Sequence, residues 1–478
     1  MSAAVGTRLA QQRSGHPRTL FDEGVLLTSA APEYGVVPDP TIAPGGSRNL
    51  IGSALPIPYL GTKPVRKRPA WFIAGIVLAQ FGLYIALLAP ATVSIQMKIQ
   101  TLTAVPAEQA SMTAMVIAPG ALAAVVFNAL GGRISDRSTS RWGRRRPWII
   151  VGIVGLALAL VLIAVATGPL VMAVGWFISQ AFANMAFAAF LASVADQLPS
   201  EQYGKTSGLI AIAQNTGIMA ATWLAAVFGG SMLLLFLVPA LIGVVLMTVY
   251  ALMLPEPVLK QNRYPFNLRE LLTTFWTNPL KHPDFGLVWW GRFLIILASY
   301  LFITFRLLYM TNHLGLSATA AAAAVAVGVT IYTVASMVAS LVAGWLSDKL
   351  GRRKVLVAAA ILIFAVGTYL LIHADTVTGF YVAEAIMGVA YGMYLAVDLA
   401  LVLEVLPNRE DAGKDLGVFN MANALPQSLA PGLGGFLLAS LGGGTDFTAL
   451  LTVAAIAAVL GAPLVPVQFI GGALVLVG

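Results

Sequence analysis

Four charged residues interrupt stretches that are otherwise apolar: Arg292 and Arg306 in one, Glu384 and Asp398 in another. A charge at the centre of a membrane-spanning helix costs at least ~2.5 kcal/mol, so such residues are paired or functional. The first stretch reads as running outward and the second inward. Arg292 and Asp398 then share one depth, and Arg306 and Glu384 share the other. Depth alone allows two ion pairs between helices. They are either purely structural or built around acids whose proton binding changes with conformation, and the residues leave both readings open.

A second set is polar but uncharged. Gln80, Asn128, Asn184, Gln214 and Asn215 fall in the first half of the chain, Asn420 and Gln427 in the second. Amides offer donors and acceptors together, which suits a polyhydroxylated ligand. Tyr84, Trp289, Trp290, Tyr391 and Tyr394 could supply flat faces for its rings. For any one amide, an interhelical hydrogen bond of about 0.6 kcal/mol is the plainer reading. The set as a whole reads as a polar cavity, with Gln80, Asn184 and Asn420 as its first candidates.

The third constellation is duplicated. Gly132-Arg-Ile-Ser-Asp136-Arg137…Gly143-Arg144-Arg145-Arg146 returns as Gly344-Trp-Leu-Ser-Asp348-Lys349…Gly351-Arg352-Arg353-Lys354. Asp196…Gly204-Lys205 returns in the same order as Glu404…Gly413-Lys414. Each copy lies between long apolar runs, the pattern of a membrane chain built from two related halves. Asp136 and Asp348 sit where helices end and can accept from the positive N-terminus of a neighbouring helix. Arg137, Arg144, Arg145, Arg352 and Arg353 can pair with acids of the other half, Asp196 and Glu404 among those proposed, as a charged clasp. The plainer reading of the arginines is that they only set orientation.

The elements that must position these groups follow from composition. The chain has 478 residues, 58% hydrophobic and 10% charged, too few charges for a water-facing surface. Twelve apolar spans are expected near 70–97, 108–132, 147–168, 170–196, 206–230, 232–254, 285–311, 318–345, 355–373, 378–405, 414–440 and 446–468. Residues 1–69 read as a disordered cytoplasmic tail and 255–284 as a polar linker. The two halves are then 70–254 and 285–478. Of 28 Lys and Arg, all but Lys98, Arg292 and Arg306 fall in the tail or on alternate loops, which places both termini in the cytoplasm.

The expected architecture is an all-α membrane protein with twelve transmembrane helices in two pseudo-symmetric six-helix halves, a monomer in a cell membrane. Cysteine is absent, and His16, His282, His313 and His373 are scattered. With no metal-ligand spacing, nucleotide-binding loop or nucleophile constellation, neither metal nor cofactor nor enzyme activity is expected. The basic residues show no aromatic interleaving, which argues against nucleic acid.

The loop Ser135-Asp136-Arg137…Gly143-Arg144-Arg145-Arg146-Pro147-Trp148-Ile149 resembles that of proton-coupled sucrose symporters and their glycoside–pentoside–hexuronide relatives within the major facilitator architecture. Gln80-Phe81-Gly82…Ala89-Pro90 resembles their first-helix signature, and Gly417-Val418-Phe419-Asn420…Leu425-Pro426-Gln427 their eleventh. Val171–Ala195 departs from the plant symporters in carrying no charge. The resemblance therefore implies proton-coupled uptake of a sugar or glycoside by alternating access, without specifying sucrose. A proton-driven exporter of amphipathic or drug-like molecules and a non-transporting membrane sensor are the alternatives.

Overall fold

The apolar runs form helices because a lipid-embedded backbone must satisfy its own hydrogen bonds. A computed structural model describes residues 67–256, 282–350, 353–404 and 412–461, with the side chains of 200, 348, 350, 353–354, 399–404, 412–417 and 420 excepted. The expected tail and linker lie almost wholly outside the described residues, as does the end of the last span. Twelve helices are described. They are α1 Ala70–Gln100, α2 Pro106–Arg137, α3 Arg146–Val165, α4 Pro169–Gln197, α5 Ser200–Phe228 and α6 Met232–Met253, then α7 Pro283–Ile303, α8 Ala318–Leu350, α9 Arg353–Ile372, α10 Val377–Glu404, α11 Ala412–Ser440 and α12 Thr448–Gly461. Ten are long and apolar enough to cross a membrane. Proline opens α2, α4 and α7, where its missing N–H costs no helical bond. Asp446 precedes α12 and its Oδ1 accepts the N–H of Thr448 at 2.8 Å; the Thr448 hydroxyl and then that backbone bond hold its carboxyl below the usual carboxylate range.

Two boundaries depart from the sequence reading for identifiable reasons. Helix α2 runs on to Arg137, because the polar turn after the apolar run stays helical. Helix α7 stops at Ile303 instead of continuing to 311. Phe305 leaves helical geometry at φ −112°, and the chain resumes as a short turn Arg306–Leu308 and a π turn Tyr309–His313. A matching π turn, Pro90–Ser94, interrupts α1.

Packing partners repeat between the first and last six helices. Helix α4 packs on α2 and α3, α6 on α1 and α3, and α5 on α1. Correspondingly α10 packs on α8 and α9, α12 on α7 and α9, and α11 on α7. Two seams, α2 with α11 and α5 with α8, join the sets. Large apolar side chains such as Leu158, Leu170, Val227 and Leu341 point outward, which is the surface a lipid environment requires and water penalises. Successive helices alternate in direction, so the Arg-rich loop between α2 and α3 and the start of α7 share one face, here the basic face. The turns at 101–105, 314–317 and 441–447 lie on the opposite face.

The seam between α8 and α10 depends on small residues. A Cβ at Gly388 would stand 2.4 Å from the Tyr332 carbonyl oxygen, and one at Gly392 would stand 2.1 Å from that of Ser336. Rigid backbone blocks both positions, so only glycine admits this approach. Gly392→Ala should therefore lower the stability of the purified protein by about 1–3 kcal/mol through overpacking. Gly432→Ala, where a Cβ meets nothing within 4 Å, should not lower it. Thermal unfolding in detergent checks the pair.

Candidate functional site

A cavity of about 500 Å³ lies between the two helix sets. Tyr84 from α1, Asn184 from α4, Gln214 and Asn215 from α5 and Gln427 from α11 all line it. The Asn184 amide donates to the Gln180 carbonyl at 2.8 Å, Asn215 to Ala211 at 2.9 Å and Gln427 to Asn423 at 3.0 Å. Each amide is thus held by its own helix, and its carbonyl oxygen is left as an acceptor for a ligand hydroxyl.

Other expected residues stand elsewhere. Gln80 shares the helical stripe of Tyr84 but is packed out of the cavity, 1% exposed, with its Oε1 unpartnered among the described residues. Asn128 extends the stripe Ile117, Ala121, Ala124 by one turn toward the basic face and so lies beyond the lining. The Asn420 side chain lies outside the described residues. Of the proposed aromatic faces only Tyr84 and Tyr391 line the cavity. Trp289 donates its indole N–H to the Val418 carbonyl at 2.9 Å, and Trp290 is exposed. Sequence reasoning missed Tyr300, Thr304 and the α8 stripe Tyr332, Thr333, Ser336. That stripe was detectable: polar residues at helical spacing in a helix otherwise rich in Ala and Val.

Both arginines of the α7 region reach the cavity, and both are paired. Arg292 Nη1 meets Asp398 Oδ2, while the Tyr394 hydroxyl donates to Asp398 Oδ1 at 2.6 Å and the Arg292 guanidinium lies 4.6 Å over Phe419. Arg306 Nη2 donates to Glu384 Oε2 at 2.9 Å, with Nε at 2.8 Å from Oε1 in an unaligned ion contact. The rings of Phe302 and Tyr332 each lie 5.2 Å from the Arg306 guanidinium. Burying such charges is tolerated only when each is paired and flanked by polarisable groups.

Of the residues expected to form the basic-face clasp, Asp136, Arg144, Arg145 and Asp196 make ion pairs, and these lie within the first helix set. Arg145, with 5% of its side chain exposed, holds Asp136 at 2.5 Å, Asp196 at 3.2 Å and the Ser135 hydroxyl at 2.7 Å. Arg144 also meets Asp196, and Glu256 Oε2 accepts the backbone N–H groups of Arg145 and Arg146 at 2.7 and 3.0 Å. Every one of these residues belongs to α2–α6 or the turns beside them. The described pairs tie the first set to itself, because Asp196 ends α4 beside the α2–α3 loop. Arg352 lies outside the described residues, as do the side chains of Asp348, Arg353 and Glu404.

The sets meet at the opposite face. There the Gln96 amide donates to the Thr304 carbonyl freed by the break after α7, and Gln100 donates to Thr311 at 3.0 Å. Asn312 donates to Gln109 at 3.1 Å, and Trp223 to Thr330 at 3.0 Å. Glycines bring the backbones together: a Cβ on Gly435 would fall 2.3 Å from that of Ala114, and Gly444, at φ +84°, lies against Pro106 and Ala107. Toward the basic face, Gly132, Gly204, Gly208 and Gly344 have open space where a Cβ would go. The described side-chain bonds between the sets thus lie on the side of the cavity away from the basic face.

The sequence profile of the Major Facilitator Superfamily matches residues 70–330 and 288–469. An uncharacterized MFS-type transporter of Mycobacterium tuberculosis is 36% identical over 109 residues, 23% of this chain and 16% of that protein. Another, YfiU of Bacillus subtilis, is 30% identical over 110 residues, 23% of this chain and 21% of that one. The chain thus matches only a small part of these relatives' length. Among solved structures, the nucleoside transporter NupG (D323A mutant) superposes with a TM-score of 0.68 at 17% identity, covering 83% of this chain and 100% of that one. A bacterial homolog of the human lysosomal transporter Spinster, inward-facing and occupied, gives 0.63 at 14% identity over 85% and 97%. At these identities the likeness concerns fold alone.

If the arginine cluster is an internal brace, Arg145→Gln should take its ion pair from Asp136, leave Asp196 with Arg144, and lower stability by about 1–3 kcal/mol. The melting temperature of the purified variant reports this. An unchanged value with altered substrate access would make the cluster a gate instead.

Proposed function

The chain belongs to the Major Facilitator Superfamily and is a multi-pass secondary transporter, not an enzyme, and on that premise we propose that it takes up a sugar or glycoside together with a proton. The observation that supports this best is the make-up of the cavity. The lining offers amide oxygens and tyrosine faces beside two buried Arg–acid pairs. Amides and aromatic faces recognise a hydroxylated ring without demanding a charge. The pairs supply what proton coupling needs. A carboxylate parted from its arginine inside the bundle takes a proton, because an unpaired charge there is too costly. Asp398 and Glu384 are the acids for that role, with Arg292 and Arg306 as their partners.

On the positive-inside rule the basic face is cytoplasmic, as are both termini. In this reading the Gln96, Gln100, Asn312 and Trp223 bonds close the outer side of the cavity. Uptake requires that seal to part while the basic-face ends of α5 and α8 close over the space at Gly208 and Gly344. Helix α7, already broken beside the Thr304 carbonyl that Gln96 holds, is the element suited to bend.

Reconstituted in proteoliposomes, the protein should accumulate a labelled sugar or glycoside, nucleosides included, when the cytoplasm-equivalent side is the more alkaline. Unlabelled disaccharides should compete and lipophilic cations should not. Efflux of lipophilic cations driven by proton entry, with no sugar competition, would replace this reading by the exporter. An absence of any flux would favour a sensor.

A further inference from the structure

The exposed tryptophans are not spread evenly over the apolar surface. Trp71, Trp142, Trp290 and Trp345 are each at least 49% exposed, and all four lie toward the basic face. Trp71 opens α1, Trp142 stands in the α2–α3 loop, Trp290 lies early in α7, and Trp345 lies in the last turns of α8. The remaining exposed indole among the described residues, Trp223, gives its N–H to Thr330 in the α5–α8 seam. An indole has an apolar body and one polar N–H, so it settles where hydrocarbon meets headgroups. Such belts ordinarily mark both interfaces; here the described one marks the basic face.

At the end of α8 this belt carries a charge. Lys349 follows Trp345 by one turn, and its ammonium lies 5.0 Å over the indole ring. Among the described residues no acid pairs with it. An ammonium resting on a ring face still has N–H donors to offer an anion. Val334, Val338 and Leu341 precede the pair at helical spacing and are all exposed, Leu341 to 77%. Val334 to Trp345 is eleven residues. At 1.5 Å per residue that is about 16 Å, close to half of the ~30 Å hydrocarbon core. The stripe thus has the depth of one leaflet and ends in an indole and an ammonium. It is separate from the α8 stripe that lines the cavity, Tyr332, Thr333 and Ser336.

We propose that an anionic phospholipid of the basic-face leaflet binds here, with an acyl chain along Val334, Val338 and Leu341 and its phosphodiester on Lys349. Charge complementarity selects the headgroup. A glycerol headgroup leaves the phosphodiester charge to Lys349, whereas choline brings a second ammonium to the same place.

Native mass spectrometry of the purified full-length protein in detergent tests this, with phosphatidylglycerol and phosphatidylcholine of identical acyl chains. The wild type should bind phosphatidylglycerol about five-fold more tightly than phosphatidylcholine. Lys349→Gln should weaken the tightest phosphatidylglycerol site by about five-fold and leave phosphatidylcholine unchanged. Lys349→Arg should keep the preference, and so should Lys98→Gln on the opposite face. Equal wild-type affinity for the two lipids would overturn the proposal, and so would a Lys349→Gln variant that binds phosphatidylglycerol like the wild type. Glycerol phosphate at the same concentration as the lipid should not compete; competition would make this a site for soluble anions and overturn the lipid. The wild-type comparison decides without any variant.

Discussion

A charge inside a lipid-embedded bundle must be answered by an opposite charge, and this constraint shapes the second half of the molecule. Four such residues unpaired would cost at least ~10 kcal/mol at ~2.5 kcal/mol each, as much as the whole stability of an ordinary domain. Arg292 and Asp398 therefore fix the register of α7 against α10 near the basic face, and Arg306 and Glu384 fix it again further across. The surroundings follow from the same need. Tyr394 satisfies the second oxygen of Asp398, Phe419 covers Arg292, and Phe302 and Tyr332 flank Arg306. The first six helices contain no comparable pair within their described spans and contribute amides to the cavity instead.

The two faces are closed by different chemistry, and magnitude suggests which one moves. Among the described residues four side-chain hydrogen bonds join the sets at the opposite face, from Gln96, Gln100, Asn312 and Trp223. At about 0.6 kcal/mol each within a membrane bundle they total roughly 2–3 kcal/mol, within reach of the differential binding energy of one ligand. Among the described residues the basic-face ion pairs are multiply bonded and lie within one set. Breaking those pairs would expose several charges to one another. They suit a brace that travels with α2–α6 as the seams rearrange.

Much of this was legible from residue types. The duplicated loops at Gly132 and Gly344 announced a repeated unit, and the repeated packing partners of α1–α6 and α7–α12 have that form. Matching depth along two apolar runs was enough to suggest the partners of Arg292 and Arg306, because in lipid a charge has few places to go. What was not legible depended on rotation and contact rather than depth. Gln80 lies on the correct stripe of α1 yet is packed over, and Asn128 lies one turn too far along α2. Arg144 and Arg145 looked outward for partners because chain order hides that Asp196, at the end of α4, folds back beside them. The α7 break at Thr304 has no proline or glycine to mark it. At the break the Thr304 carbonyl accepts from Gln96 on another helix.

The central claim is that the buried pairs carry the proton as well as the fold. Neutralising both members of a pair at once leaves no orphaned charge, so it separates the two roles. In proteoliposomes bearing Arg292→Gln/Asp398→Asn or Arg306→Gln/Glu384→Gln, a pH gradient should no longer concentrate the substrate in at least one of the two variants, although downhill equilibration persists. Full gradient-driven accumulation in both would contradict the account and leave the pairs as structure alone.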